Sequence, residues 1–223
     1  MLHFFYQSLH TLSLKAMLQA LIAQGEHLTL EFKSTIESPQ KIAKTLVAFA
    51  NTKGGTLLVG IEDDGEISGI FSEQEEMEKI EQAAEFICHP PIDIEYESKQ
   101  QKELHVLLIR IAESTRKPHV VLTAQGEAFV YMRVHDKNVP VGKQMTDVLE
   151  RDPVEPDKAL LQSPNVKTII AYLQTNEFIT PKRFAKLINI SERRAAKLLI
   201  DLMDQHVLVV LDKEGGVFYA LKG

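Results

Sequence analysis

The sequence predicts an α+β protein. A mixed-sheet domain over residues 1–150 is followed by a linker over 151–163 and a small winged helix-turn-helix domain over 164–223. Three observations predict it. Helical and strand patterns in the first part come in segregated order rather than as strict strand–helix repeats. Pro153, Pro156 and Pro164 then crowd one short stretch. Beyond them, three short helical patterns precede a single hairpin pattern.

Residues 13–24 read as a helix, with Ser13 as N-cap, Leu14, Met17, Leu18 and Leu21 on one face, and Gly25 as the stop. "HLTLEFKS" alternates, placing Leu28, Leu30 and Phe32 on one side and Thr29, Glu31 and Lys33 on a polar side. "PQKIAKTLVAFANTKGG" is a helix with Pro39 in its first turn and a stripe of Ile42, Leu46 and Phe49. In "TLLVGIED", a strand, Leu57, Val59 and Ile61 share a face and Glu62 lies opposite. "DDGE" is its turn and "ISGI" a short return. An acidic helix over "EQEEMEKIEQAAEFICHPP" stops at Pro90 and Pro91. "IDIEYES" and "ELHVLLIRIA" pair across the polar turn "KQQK". "RKPHVV" leads into a short strand, and "EAFVYMRV" is another, followed by polar "HDKN".

The linker carries one helical turn. Val166, Ile169, Ile170 and Leu173 define the first C-terminal helix. Thr180 caps the second, with Pro181 at its first position, and Ser191 caps the third, which buries Ala195, Leu198, Leu199, Leu202 and Met203. "VLVVLDKEGGVFYAL" is a hairpin turning at Gly215 and Gly216.

With 44% hydrophobic and 25% charged residues, the 223-residue chain has the composition of a soluble globular protein. It has no apolar run long enough to span a membrane, and its start lacks the pattern of a signal peptide. The single cysteine, Cys88, suits a reducing cytoplasm. The net charge of −6 is unevenly spread. Residues 1–150 hold 14 Lys and Arg against 22 Asp and Glu, whereas residues 165–200 hold 7 against 2. This local excess is a candidate nucleic-acid surface.

In a winged helix-turn-helix the third helix enters the major groove by its N-terminal end. Arg193, Arg194 and Lys197 occupy that end here, and Lys182, Arg183 and Lys186 on the second helix are placed to meet phosphates. The expected partner is double-stranded DNA, bound by a homodimer that reads two half-sites. The same module also serves as a protein-docking unit, and the hairpin tip "DKEGG" is poor in cations.

"TKGGT" lies between a helix and a strand. It is either a tight turn or, through the N–H groups of Gly54 and Gly55, an anion-binding cradle. No GxxxxGK[ST] or GxGxxG pattern supports ATP or a dinucleotide, and no cofactor is expected. Glu26, Glu31, Glu62 and Asp63 are either surface acids or carboxylates able to share a divalent metal. The histidines show no zinc spacing, and Ser68 and Ser114 lack elbow glycines. Tyr131 and Arg133, on one strand face, are candidates to stack on and pair with a nucleotide.

Three segments in order, "GEHLTLEFKST", "IAKTLVAFANTKGGTLLVGIEDDGEISGI" and "KPHVVLTAQGEAFVYMRVHDKNVPV", resemble the Schlafen AlbA-like domain, also called AlbA_2 or divergent AAA. The likeness spans roughly residues 14–145, and His135 and Asp136 depart from it where small residues are usual. The resemblance implies a nucleic-acid-related domain, often joined to a C-terminal winged helix in transcriptional regulators. Asn51 joins Gly54, Gly55 and Arg133 as a candidate ligand or phosphate contact. Some relatives are metal-dependent nucleases. For those the resemblance implies catalytic roles at Glu26, Glu31 and Asp63, with Mg²⁺ or Mn²⁺.

Overall fold

The computed structural model describes residues 16–101, 103–151, 155–213 and 216–222. Ser13, Leu14, Lys102, Pro153 and Gly215, each used in the expectations above, lie outside them. In chain order the elements are α1 (described over 16–22), β1 (Leu30–Lys33), α2 (Pro39–Asn51), β2 (Gly55–Val59) and α3 (Glu73–Gln82), which runs on into a π turn (Ala83–Ile87). Next come β3 (Cys88–His89), β4 (Ile94–Gln101), β5 (Leu104–Ile111), β6 (Val120–Leu122), β7 (Ala128–Val134), β8 (Lys137–Val141), α4 (Lys143–Leu149) and α5 (Lys158–Gln162). The chain closes with α6 (Pro164–Leu173), α7 (Pro181–Ile188), α8 (Glu192–Asp204), β9 (Leu208–Lys213) and β10 (Gly216–Leu221).

The α+β class holds. One sheet has the order β1-β2-β5-β4 and is mixed, because β1 runs parallel to β2 while the other pairs are antiparallel. A second sheet has the order β3-β6-β7-β8, and β9 pairs with β10 separately. Helix α2 lies between the two larger sheets. Ser38 caps it by accepting from the Lys41 N–H, and Pro39 opens it. The expected stripe of Ile42, Leu46 and Phe49 is buried, but so is every residue from Thr45 to Asn51. The helix has no solvent side over its last turns, because one flank meets Leu57, Val59, Leu107, Ile109 and Ile111 and the second sheet approaches from elsewhere.

The far face of the first sheet is also covered: Leu30, Phe32, Leu58, Val106 and Leu108 pack with Leu18 of α1. Strands buried on both faces read as apolar runs, as Val106–Ile109 does. Three expectations change here. Ile61 joins the cluster of Leu58, not that of Leu57 and Val59, because Gly60 at φ 99° breaks the two-residue alternation. The polar turn expected over 99–102 is largely strand, since Lys99, Gln100 and Gln101 pair with Val106, His105 and Leu104. "KNVPV" forms β8, an edge strand that tolerates Pro140 and is reached by a tight turn with His135 at φ 54°.

In the C-terminal part, Ser163, Thr180 and Ser191 cap α6, α7 and α8 through their side chains, and Asn189 in the left-handed region ends α7. Three helices and a hairpin follow in the expected order, with Ile179 bridged to Tyr219. Leu198 is partly buried rather than buried. The apolar core runs straight across the expected linker: Val130, Met132 and Val134 of β7 and Met145 and Val148 of α4 share one cluster with Val166, Phe184, Leu199 and Leu202.

The glycine pair is demanded by packing. Gly54 sits at φ 69°, and a Cβ there would meet the Ile111 carbonyl oxygen at 2.5 Å. Gly54→Ala is therefore expected to lower stability by about 2–4 kcal/mol in urea unfolding, left-handed strain and overpacking acting together. Gly126→Ala, at φ 82° with open space around it, should lose only about 1–2 kcal/mol. Equal losses at the two sites would contradict the packing account.

Candidate functional site

Arg133 leaves β7 opposite Asn138 of β8 and is fully buried. Its Nε donates to the Leu28 carbonyl at 3.1 Å and Nη2 to the His27 carbonyl at 2.7 Å. Nη1 donates to the Glu31 carboxylate and to Asn138 Oδ1, the latter at 2.9 Å. The guanidinium stands 4.8 Å from the centre of the Phe49 ring. Burial pulls the Arg133 pKa down, and the carboxylates of Glu31, Glu26 and Asp136 oppose it. Glu31 also accepts from Thr45 Oγ1 at 3.1 Å and pairs with Lys33 at 3.0 Å. Asn138 Nδ2 completes the network on Thr45 Oγ1 at 2.9 Å.

The acids expected at a metal are thus employed otherwise. Glu31 is buried under α2 and β8, a correction to the polar strand face expected for it. Glu26 Oε1 accepts from the Phe32 N–H at 2.7 Å. Asp63 is exposed in the turn beyond β2. Among the described residues no group of three or more His, Cys, Asp or Glu is placed to hold a metal ion. These donors do not fit Mg²⁺ or Mn²⁺, because the Glu31 carboxylate is already taken by Arg133, Thr45 and Lys33.

The candidate ligand contacts likewise face inward. Asn51 spends its amide on the second sheet: Nδ2 donates to the carbonyls of His119 at 2.9 Å and Tyr131 at 3.0 Å, and Oδ1 accepts from the His119 N–H at 2.8 Å. The Gly54 N–H is bound to the Phe49 carbonyl at 2.8 Å, and Gly55 pairs with Ile111 in the sheet. With four donors of Arg133 bound to protein acceptors, these four residues tie the strands to α2.

Two features outside those expectations are open to solvent. A cleft of about 500 Å³ is lined by Lys33, Lys41, Lys44 and Lys137 with Thr35 and Asn138. Three of its lysines are ion-paired, to Glu31, Glu37 and Glu177. No periodic signal marks this cleft, since its walls come from β1, α2 and β8. A cavity of about 770 Å³ opens where the C-terminal part meets the segment between β5 and β6, with Lys117, Arg151, His206 and Lys222 on its walls. Burial, with Lys117 next in effect, brings the Lys222 pKa down to about 8.

The C-terminal cations stand where the sequence places them. Lys182, Arg183 and Lys186 on α7 and Arg193, Arg194 and Lys197 on α8 are all exposed. None of the six joins an ion pair among the described residues. On each helix the three occupy positions i, i+1 and i+4, an arc of about 100°.

An α+β unit whose glycine-rich segment joins a buried helix to a mixed sheet, followed by a capped three-helix unit with cationic helices, is the class of protein defined here. The family model described as Schlafen, AlbA_2 matches residues 26–142, more than half of the chain, and the chain belongs to that family. Among solved structures, the N-terminal domain of a RecG-related protein from Nitrosomonas europaea is similar at 20% identity and a TM-score of 0.37, over 47% of this chain and 83% of that one. The DIP2311 protein from Corynebacterium diphtheriae is similar at 22% identity and a TM-score of 0.42, over 59% of this chain and 31% of that one. A search of curated proteins finds no match.

Removing the guanidinium would leave the buried Glu31 carboxylate without its buried countercharge, held only by Lys33, Thr45 and Asn138. Arg133→Met is expected to destabilise the fold by about 3–5 kcal/mol in urea titration, and the double variant with Glu31→Met should recover part of that loss. A merely additive double variant would refute the coupling. Lys222 generates a pH prediction. Between its folded pKa of about 8 and the ordinary lysine value of about 10.4 the unfolded chain binds more protons, so this group lets stability rise with pH in that window. Lys222→Gln should be more stable than the parent at pH 7, and its advantage should shrink by pH 10. An advantage constant with pH would point to packing instead.

Proposed function

We propose that this protein is a DNA-binding transcriptional regulator whose C-terminal unit works as a winged helix-turn-helix. The observation that carries the reading is the set of six exposed cations on α7 and the first half of α8, without an ion pair among the described residues, in a chain of net charge −6. In this reading α8 enters the major groove by its N-terminal end. Arg193 and Arg194 reach base edges, and Lys182, Arg183, Lys186 and Lys197 neutralise phosphates. Two copies binding as a homodimer would read two half-sites. No described helix is long and apolar enough to cross a membrane, and a cytoplasmic setting goes with the reading. The nuclease alternative draws no support from the placement of Glu26, Glu31 and Asp63.

The test is fluorescence anisotropy with a labelled duplex across a salt series. The variant carrying Arg193→Ala, Arg194→Ala and Lys197→Ala should bind more weakly. Its slope of log K against log salt should be shallower by about 1 for each phosphate that is no longer neutralised. Unchanged affinity and slope would reject the assignment of this face. Failure of the parent protein to bind any duplex at low salt would favour a protein-docking unit.

A further inference from the structure

Ser114 lacks the glycines of a nucleophile elbow, yet the fold returns His119 to it. His119 Nε2 lies 2.7 Å from Ser114 Oγ, and Nδ1 lies 2.7 Å from the Pro90 carbonyl oxygen. A carbonyl only accepts, so Nδ1 carries the proton and Nε2 offers its lone pair to the hydroxyl. The Arg116 N–H donates to Ser114 Oγ at 2.9 Å, which leaves the hydroxyl proton to point at His119. Both residues are held from behind. Asn51 binds the His119 N–H and carbonyl, and the Ser114 N–H donates to the Ala50 carbonyl at 2.9 Å. His119 is buried, whereas Ser114 is partly exposed and borders both a cleft of about 180 Å³ and the junction cavity of about 770 Å³. The backbone N–H of Thr115, the next residue, has no partner among the described residues.

We propose that Ser114 is a nucleophile for acyl transfer from ester substrates, with His119 as its general base and the Pro90 carbonyl orienting that base. This arrangement, a hydroxyl bonded to an imidazole that a third group holds in one tautomer, is what activates serine. Oγ attacks the ester carbonyl carbon as its proton passes to Nε2, and the Thr115 N–H, unpartnered among the described residues, is the donor assigned to the charge that develops on the carbonyl oxygen. Nε2 then gives the proton to the departing alcohol oxygen as that C–O bond breaks. Water, deprotonated by Nε2, cleaves the acyl-serine and Oγ recovers its proton. The products are a carboxylic acid and an alcohol, with no redox change. His119 stays neutral for the task, since burial lowers its pKa. The Pro90 carbonyl and Asp93 oppose that shift, and Arg116 and Lys117 reinforce it.

The test is labelling of the full chain with a fluorophosphonate, read by intact mass and peptide mapping, alongside turnover of p-nitrophenyl acetate. One adduct is expected, on Ser114, absent in Ser114→Ala and formed at least about a hundredfold more slowly in His119→Gln. The parent rate should rise with pH and level off with a midpoint below the ordinary histidine value of about 6.5. No adduct on Ser114 would overturn the proposal. So would a rate that keeps climbing with hydroxide and shows no plateau. Circular dichroism establishes that each variant is folded. Should His119→Gln not fold, the parent's plateau decides between the outcomes.

Discussion

One buried guanidinium holds this molecule together. Arg133 belongs to the second sheet, yet its donors end on carbonyls before β1, on a carboxylate within β1 and on an amide of β8, while its cationic carbon stands over a phenyl ring of α2. Five N–H groups in a fixed fork make this possible. A lysine ammonium, one compact charge with three donors, could not span those partners. The pair with Glu31 is tolerable in a dry interior because further hydrogen bonds reach both groups, from Thr45 to Glu31 and from Arg133 to Asn138 and two carbonyls. The packing of both sheets about α2 follows from this knot.

The glycine-rich segment that carries the family likeness looks different from inside. Asn51, Thr52 and Gly54 direct their polar atoms or missing side chain at neighbouring backbone, and the bare Cα of Gly55 makes room for the Phe49 ring. Thr52 Oγ1 donates to the Ala48 carbonyl at 2.8 Å and accepts from the Arg133 N–H at 2.9 Å. In this chain the motif describes how a helix end is sewn to two sheets. Surface chemistry lies elsewhere, on the lysine-lined cleft, on α7 and α8, and beside Ser114.

Legibility follows range. The caps Thr180 and Ser191 are readable because a cap depends on residues three positions away. The cations of α7 and α8 are readable for a similar reason, as local composition. Ile61 escapes the pattern because one glycine at positive φ shifts the phase of everything after it. Pro140 hides β8, since it argues against a strand unless the strand is known to be an edge. Burial of Glu31 depends on Arg133, 102 positions along the chain, and no local pattern carries that information. Ser114 and His119 are near neighbours in sequence, but the carbonyl of Pro90 and the amide of Asn51 that aim the imidazole come from distant segments.

The core that joins β7 and α4 to α6, α7 and α8 gives the C-terminal helices no tether. A reader on a flexible linker searches many orientations and surrenders that freedom when it docks. Here the orientation is set in advance by Met132, Val134 and Met145, so a partner seated on α7 and α8 meets one fixed presentation. Those helices rest on the strand that bears Arg133. The surface offered to a partner and the knot at the centre of the molecule thus share one element, β7.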